Sequence, residues 1–249
     1  ILNEHPNQPV ALHMMGLIAH QVGKNDIAAQ LMTKAIAAKP DYADAHNNLG
    51  IVLQSLGKLE DALASHQKAL ALRPDFSEAH NNMGVALQSL GRLEEAASTY
   101  EKAAALKPDF AEVHYNLGDL HRHLNKPEEA ISHYQNAITV NPDYYEAHFN
   151  LGRTLVTLGR LQAAVESYRK VTSIKPDYVP AHVNLAALYH DSGQLPQSDR
   201  SYQKSIELGA NSAQLHNNYG VLLRDLGKLE EAVGRYQKAL ALKPDYAET

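Results

Sequence analysis

A 34-residue period constrains this chain more than any other feature of its sequence. The pentapeptide at 46–50, His-Asn-Asn-Leu-Gly, returns in related form at every 34th residue as far as 216–220. Residues 1–8 read as the end of a preceding unit, and 247–249 as the start of a further one. With each unit numbered 1 to 34, seven complete copies follow, at 9–42, 43–76, 77–110, 111–144, 145–178, 179–212 and 213–246. A repeat of this length predicts units that stack into one array and bury their apolar faces against neighbours.

Each unit reads as two helices joined by a turn. In 43–76, Leu49 and Leu53 recur at helical spacing in the first half, and Leu63 and Leu70 do so in the second. Proline at position 32 ends the second helix, and the aspartate that follows it, as at Asp41, is expected to cap the next helix. The pattern predicts an all-α solenoid of antiparallel helix pairs.

Glycine recurs at unit positions 8 and 15. At position 15 the first helix has to end in a left-handed residue, which glycine adopts without steric cost, and Asn125 takes this place in the fourth unit. At position 8 glycine costs a helix about 1 kcal/mol relative to alanine. We therefore expect the second helix to approach closely there, through the small alanines of position 20 such as Ala62 and Ala96.

Composition excludes several classes of protein. The chain has no cysteine, so disulfide frameworks and cysteine-ligated metals are ruled out. Its 23 Lys and Arg against 28 Asp and Glu give a formal charge of −5, which disfavours nucleic acid as a partner. No apolar run is long enough to span a membrane, and no secretory signal follows Ile1, so a cytoplasmic location is expected. No phosphate-binding loop or catalytic motif is visible, and we expect no cofactor.

The units resemble tetratricopeptide repeats over essentially the whole chain. The residues of 43–76 that match the family pattern at positions 4, 7, 8, 11, 20, 24, 27 and 32 are His46, Leu49, Gly50, Leu53, Ala62, His66, Ala69 and Pro74. Position 24 is more typical in five other units, where it is tyrosine, as at Tyr100. The resemblance implies a right-handed superhelix whose first helices line a concave groove.

Position 6 is the best candidate for a binding role. It lies on the helix face turned away from Leu49 and Leu53. An amide side chain offers both donors and an acceptor, so it matches the backbone of an extended peptide. The alternative is that these amides satisfy hydrogen bonds of the backbone or of neighbouring repeats. We call the set the asparagine ladder: Asn48, Asn82, Asn116, Asn150, Asn184 and Asn218.

This ladder extends the resemblance to the repeats of O-linked N-acetylglucosamine transferases and SPINDLY-type proteins. In that family the repeats bind protein substrates through an asparagine ladder, which the resemblance carries onto the six residues above. The nucleotide-sugar domain of such an enzyme has no counterpart here. Met14 takes position 6 of the first unit and interrupts the ladder.

Charged and histidine residues also recur at fixed unit positions. The carboxylates at position 2, as in Glu78 and Glu112, either belong to helix caps or form an acidic stripe in the groove. The histidines of position 4 are expected in the core, because stacked helix pairs stand about 10 Å apart and their rings cannot share one zinc ion. The groove-tuning residues are predicted to be Glu78, Glu112, Asp119, Arg122, Arg153 and Arg224.

The sequence therefore favours a protein-interaction module that binds extended segments of protein partners. Two alternatives stay open: the substrate-recognition region of a larger glycosyltransferase, and a structural scaffold that self-associates through its terminal repeats. Whether the protein is part of an enzyme is left undecided at this point. No catalytic or metal-binding residue is assigned.

Overall fold

The structure is a computed structural model in which residues 8–245 are described. Over this range it contains fourteen α-helices and no strand, in agreement with the predicted all-α class. Residues 1–7 and 246–249, which carry nearly all of the two partial units, lie outside the described residues. The chain divides into two compact units, with the first ending at Val140 and the second beginning at Asn141.

The first unit consists of four antiparallel helix pairs. Within this unit, the second helix of a pair packs on the first helix of the following pair, and successive first helices also contact one another. Its core includes Leu87, Tyr100, Val113 and Leu120. The helices are α1 (Pro9–Gln21), α2 (Asn25–Ala38), α3 (Ala43–Ser55), α4 (Leu59–Leu72), α5 (Ser77–Ser89), α6 (Leu93–Leu106), α7 (Ala111–His123) and α8 (Pro127–Val140).

The second unit consists of three helix pairs packed in the same order. Tyr202, Leu215, Tyr219 and Leu223 lie in its core. We number the pairs 1 to 7 along the chain and keep the unit positions defined above. Its helices are α9 (Tyr145–Thr157), α10 (Leu161–Ile174), α11 (Val179–Asp191), α12 (Leu195–Glu207), α13 (Ala213–Asp225) and α14 (Leu229–Leu242).

The turn glycines behave as predicted. Gly57 and its equivalents at position 15 have φ between +69° and +75°, and Asn125, the substitute in the fourth unit, has φ +56°. This region of backbone geometry strains other residues. The first helix of each pair therefore ends where the sequence indicates.

The sequence predicted the wrong contact partner for the glycines at position 8. A Cβ atom added to Gly84 would lie 2.5 Å from Cε1 of Tyr100, and one added to Gly50 would lie 2.5 Å from Cε1 of His66. The close approach thus comes from the ring at position 24 and not from the alanines of position 20, although Ala62 is fully buried.

The aspartates after the prolines are not the helix caps. The residue at the N-cap of α3 is Tyr42 and that of α5 is Phe76, and neither makes a side-chain capping hydrogen bond. Asp41 and Asp75 lie one residue too early in the chain to cap these helices. The helix starts are instead secured by turns and by the histidines described below.

Candidate peptide-binding face

In the first unit, each ladder asparagine is held by the helix pair before it. Asn82 Nδ2 donates to Oδ1 of Asn47 at 3.2 Å, and Asn116 Nδ2 donates to Oδ1 of Asn81 at 2.8 Å. Asn48 Nδ2 lies 2.8 Å from Nε2 of His13, to which it donates. In every case the acceptor is the side chain at position 5 of the preceding pair, so the ladder residues are linked between pairs.

A buried hydrogen-bond network fixes the middle of this arrangement. His66 is fully buried, and its Nδ1 lies 3.0 Å from Asn47 Oδ1 while its Nε2 lies 3.0 Å from Gln54 Nε2. Because the amide nitrogen of Gln54 can only donate, Nε2 of His66 accepts and the imidazole proton sits on Nδ1, which points to Asn47. Gln54 Nε2 also donates to the backbone carbonyl of Asn82 at 2.9 Å. Asn82 is therefore positioned through both its side chain and its backbone.

Burial keeps His66 uncharged. It lowers the pKa of this imidazole from 6.5 to about 4, so the ring is neutral near pH 7. Burial lowers the pKa of His13 as well, against the opposing effect of Asp44. The hydrogen bonds that orient Asn48 and Asn82 therefore depend on neutral histidines.

The ladder is built differently in the second unit. Position 5 is apolar there at Phe149 and Val183, so the acceptor used in the first unit is missing. Asn184 instead hydrogen-bonds with Tyr168, whose hydroxyl has its pKa raised to about 12 mainly by burial. The side chain of Asn218 has no hydrogen-bond partner within the described part of the chain. The ladder asparagines thus have no common means of support.

Asn150 is the least accessible of the six ladder residues. Only 7% of its surface is exposed, and its Oδ1 lies 3.5 Å from Nη1 of Arg153. The sequence places it on the same helix face as the others, but in the structure it is buried. Asn48, Asn82, Asn116, Asn184 and Asn218 are all partly exposed.

One ladder residue lines a groove in the first unit. This groove has a volume of about 490 Å³ and includes Asn116, Asp119 and His123 from α7, opposite Gln88 and Ser89 of α5. The ring of Tyr100 forms part of its wall. Amide, carboxylate and aromatic groups are therefore brought together on one surface, which suits a polar chain with occasional apolar side chains. Met14, at the interrupted rung, is exposed.

The predicted groove-tuning residues are mostly paired with their neighbours. Asp119 Oδ1 accepts from Arg122 Nη2 at 2.7 Å, and its Oδ2 lies 3.3 Å from His123 Nδ1. Arg224 Nη2 lies 2.9 Å from Asp225 Oδ1 on the same helix. Of the six predicted groove-tuning residues, Asp119 alone lines the groove described above, and the groove-tuning role stays a prediction.

The two position-2 carboxylates make contacts that sequence reasoning did not foresee. Glu78 Oε1 lies 3.1 Å from Lys107 Nζ, and Glu112 Oε1 accepts from Asn81 Nδ2 at 3.2 Å. Glu112 therefore belongs to the support of the ladder, because Asn81 in turn holds Asn116. Both carboxylates stabilise neighbouring segments of the fold.

The position-4 histidines have a role that sequence reasoning missed. The Nε2 atoms of His46, His80, His114, His148 and His182 each lie 2.9–3.0 Å from the carbonyl oxygen of the proline six residues earlier. A carbonyl only accepts, so Nε2 carries the proton and donates. Each histidine thereby ties the linker to the following helix. The constant Pro-to-His spacing of six residues is the sequence feature that could have revealed this hydrogen bond.

Three histidines of the first unit, His114, His121 and His133, lie close together but are not arranged as metal ligands. His121 and His133 stack with ring centroids 5.0 Å apart, and His114 lies 6.5 Å from His133. Parallel rings do not converge on one ion. Among residues 8–245, no group of three or more histidine, aspartate or glutamate side chains is arranged to hold a metal. No helix in that range is long and apolar enough to cross a membrane.

Family models match the chain along almost its full described length. Models described as tetratricopeptide repeat match residues 9–42, 43–76, 67–97, 115–179 and 178–245, and one described as TPR repeat matches 86–124. No curated protein matches the chain significantly.

Solved structures share the fold. The pilF protein of Pseudomonas aeruginosa is 22% identical, with 83% of this chain and 94% of that chain covered and a TM-score of 0.73. PilW, a type IV pilus biogenesis factor, is 24% identical over 83% of this chain and 96% of that chain, with a TM-score of 0.67. YrrB, described as a TPR protein with an unusual peptide-binding site, is 28% identical over 73% of this chain and 93% of that chain, with a TM-score of 0.59. The resemblance to O-linked N-acetylglucosamine transferases finds no support among these neighbours.

Proposed function

The chain belongs to the tetratricopeptide repeat proteins, and on this basis we propose that it binds extended protein segments along the asparagine ladder. Proteins of this family are protein–protein interaction modules. YrrB, a similar structure, is described by its peptide-binding site. The proposal concerns which residues of this chain make the contact.

The proposal rests on the side-chain amides of three ladder residues in the first unit. Asn48, Asn82 and Asn116 each donate one side-chain N–H to the preceding helix pair, and that bond fixes the orientation of the amide. Within residues 8–245 their Oδ1 atoms have no hydrogen-bond partner, and the side chains are partly exposed. Each amide therefore presents an acceptor, and a second N–H donor, to a peptide backbone.

The spacing of the rungs suits an extended ligand. Packed helices stand about 8–10 Å apart, and an extended chain advances about 3.3 Å per residue. Successive rungs would therefore meet the ligand backbone at about every third residue. Recognition of the backbone admits many sequences, while Asp119 and the tyrosine wall favour some side chains over others.

The test uses a peptide selected from a displayed random library on the purified protein. Alanine at Asn82, Asn116 and Asn150 together should weaken binding about thirtyfold, at about 1 kcal/mol for each hydrogen bond lost at the two partly exposed residues Asn82 and Asn116. Asn136→Ala, on the exposed surface of α8, is the matched control and should leave the affinity unchanged. N-methylation of single peptide bonds should weaken binding more than alanine substitution of the peptide's side chains.

Unchanged affinity of the triple variant, with its thermal unfolding also unchanged, would end the proposal for the ladder. Because Asn150 is buried and the other two are partly exposed, single variants should rank with Asn116→Ala and Asn82→Ala above Asn150→Ala. That ranking separates direct contact from a general loosening of the fold.

Self-association is the second candidate function. Ile18 on α1 and Val22, the residue that follows this helix, are 59% and 62% exposed, and Leu229 and Val233 on α14 are 62% and 53% exposed. Apolar faces of this kind bind other surfaces. Light scattering should show mass rising with concentration, and Ile18→Lys should abolish the rise. A constant monomer mass would remove this candidate.

The glycosyltransferase alternative rests on the recurring asparagines alone. The mass of the native protein, compared with 27.4 kDa, is the measurement that decides it. A mass several hundred residues larger, with transfer of sugar from a nucleotide donor to a protein, would support it. A matching mass would leave an adaptor or scaffold.

Three sequence interpretations stay predictions. They are the division into seven complete units from 9–42 to 213–246, the lack of nucleic acid binding, and a cytoplasmic location. Limited proteolysis, a gel-shift assay with duplex DNA and cell fractionation test them in that order. Cleavage inside helices, a shifted band or recovery outside the cytoplasm would contradict the corresponding interpretation.

A further inference from the structure

A second groove, in the second unit, carries only positive charge. It has a volume of about 550 Å³ and lies between α10 and α12, with α11 contributing its base. Val165, Leu185 and Ser201 are buried and form the floor. The exposed residues that line it include Arg169, Arg200 and Lys204, and no carboxylate is among its lining residues.

The two arginines are unpaired. In the portion of the chain that the structure describes, no carboxylate lies within salt-bridge distance of Arg169 or Arg200. Lys204 Nζ lies 3.2 Å from Glu207 Oε2, but both side chains are largely exposed. Such a surface pair is worth little and exchanges readily for another anion. Three cations on one groove stand out in a chain whose formal charge is −5.

Arg169, at unit position 25, and Arg200, at unit position 22, differ from the residues at these positions in the other units. Position 25 holds threonine, glutamine or glutamate in the other units, and position 22 holds glutamine, alanine, serine, glutamate or glycine. The two substitutions fall in successive pairs, on helices that face the same groove. Lysine at position 26, by contrast, recurs in six of the seven units and is part of the general pattern.

A comparable groove in the first unit shows what the ordinary pattern gives. The groove between α2 and α4, of about 680 Å³, is lined by Lys34, Lys58 and Asp61. The places of Arg169 and Arg200 are taken there by Thr33 and Ala64. Its charges are mixed, so it provides an internal control of similar shape.

We propose that the groove between α10 and α12, with Arg169, Arg200 and Lys204, binds an acidic segment of a protein partner. Guanidinium groups bind carboxylates through paired, charge-assisted hydrogen bonds, and clusters of arginine recognise acidic motifs. Arg200 and Lys204 lie one turn apart on α12, and Arg169 faces them from α10, so an acidic chain lying between them meets cations on both sides. The amide of Gln162 and the hydroxyl of Tyr189 also line the groove and suit a peptide backbone.

This site is independent of the asparagine ladder. Asn184 of the same helix α11 is not among the groove's lining residues. It is separated from Leu185 by about 100° around the helix axis, as successive residues of an α-helix are. A partner could therefore occupy this groove while another segment contacts the ladder.

The probe for the experiment is a short fluorescent peptide of alternating glutamate and glycine, compared with one of alternating glutamine and glycine. Fluorescence anisotropy should show binding of the acidic peptide only, weakening as salt is raised. The double variant Arg169→Gln/Arg200→Gln should bind it about tenfold or more weakly. The matched double variant Lys34→Gln/Lys58→Gln, in the control groove, should bind it as the native protein does.

Three results of these peptide titrations would overturn the proposal. They are no binding of the acidic peptide at low salt, equal affinity in the native protein and the arginine double variant, and equal losses in the two double variants. Displacement of the peptide by micromolar inorganic phosphate would also overturn it, because the groove would then be a site for small anions. Asn82→Ala/Asn116→Ala should bind the acidic peptide normally, so failure of the ladder and failure of this groove are told apart.

Discussion

The two compact units use the same asparagine at position 6 but support it differently. Up to Val140, the side chain at position 5 of one pair accepts a hydrogen bond from the asparagine of the next, as Asn81 does from Asn116. From Asn141 onward, position 5 is apolar in two of the three pairs, and Asn184 relies on Tyr168. A residue that recurs at a fixed period therefore need not have a fixed role, because its neighbours decide which of its atoms remain free.

The largest expected difference between the units is their response to acid. Burial lowers the pKa of both His66 and His133 from 6.5 to about 4, and for His133 the nearby His121 and His114 add to the effect. Both groups lie in the first unit. Their folded-state pKa lies below that of the unfolded chain, so stability that is present above about pH 6.5 is lost as the pH falls towards 4. For His66 the loss approaches about 3 kcal/mol.

Hydrogen exchange at pH 7 and pH 5, corrected for the intrinsic rate, measures this effect. We expect α4 and α8 to lose more protection than α10 and α14, because α4 and α8 contain His66 and His133, whereas α10 and α14 contain no histidine. Glu129 opposes the lowering of the His133 pKa and so limits the contribution of this histidine to the acid sensitivity. His66→Tyr, which introduces the usual residue of position 24, should remove the acid sensitivity of α4. Equal losses in the two units would contradict the comparison.

The next largest effect should follow from Asn47→Ala. Asn47 Oδ1 accepts from both His66 and Asn82, and 4% of the residue is exposed. Removing it leaves a buried donor without a partner, which costs about 2 kcal/mol. Urea unfolding gives the free energy, and Asn136→Ala, on an exposed surface, should change it by less than about 0.5 kcal/mol. A loss no greater than that of the control would show that the network is not needed.

Replacing the glycine at position 8 with alanine should destabilise the two units by the same amount. A Cβ atom on Gly84 would lie 2.5 Å from the Tyr100 ring, and one on Gly220 would lie 2.6 Å from the Tyr236 ring. Overpacking costs about 1–3 kcal/mol, offset by about 1 kcal/mol of helix propensity. Gly84→Ala and Gly220→Ala should therefore each destabilise the protein by up to about 2 kcal/mol in thermal unfolding. Clearly unequal losses would place the difference between the units in the core as well as in the ladder.

The smallest effect should come from giving the second unit the acceptor it lacks. Val183 is 35 residues before Asn218, the separation that joins Asn81 to Asn116. Val183→Asn should place an amide oxygen beside Asn218 and change stability by less than about 0.5 kcal/mol, since the site is partly exposed. NMR of the Asn218 side-chain amide should then show slower hydrogen exchange. No change in that signal would show that backbone placement, and not residue type, sets the difference.

Local features of the fold could be read from the sequence, whereas contacts between neighbouring helices could not. Left-handed turns at Gly57 and Asn125 follow from the conformations that these residues adopt, so the helix ends were predicted correctly. The partner of Gly84 was predicted wrongly, because it depends on how far the Tyr100 ring reaches across the pair. The cap was predicted one residue too early, at Asp41 instead of Tyr42, because the turn closed by the bond from Tyr42 N–H to the Lys39 carbonyl, at 3.3 Å, extends one residue past the aspartate.

The candidate site, like the fold, could be predicted from the sequence only in part. The asparagines were found because they recur, and their helix face followed from the helical period. Their supports, such as Asn47 and Asn81, were missed although each stands directly before a ladder residue. Which oxygen accepts which proton depends on the distance between two helix pairs, and that distance is not encoded in any single unit.

The bond from histidine to the proline carbonyl bears on how such a chain can be lengthened. Pro40 closes one unit and His46 opens the next, so the bond between them spans the junction. A 34-residue block copied in frame carries one half of the bond at each end and regenerates it against either neighbour. At the junction before α13 the proline is absent, and Oδ1 of Asn211 accepts from His216 Nε2 at 2.9 Å instead. Duplication therefore requires an oxygen at that place, supplied by either backbone or side chain, and the block can diverge in sequence while its joint is kept.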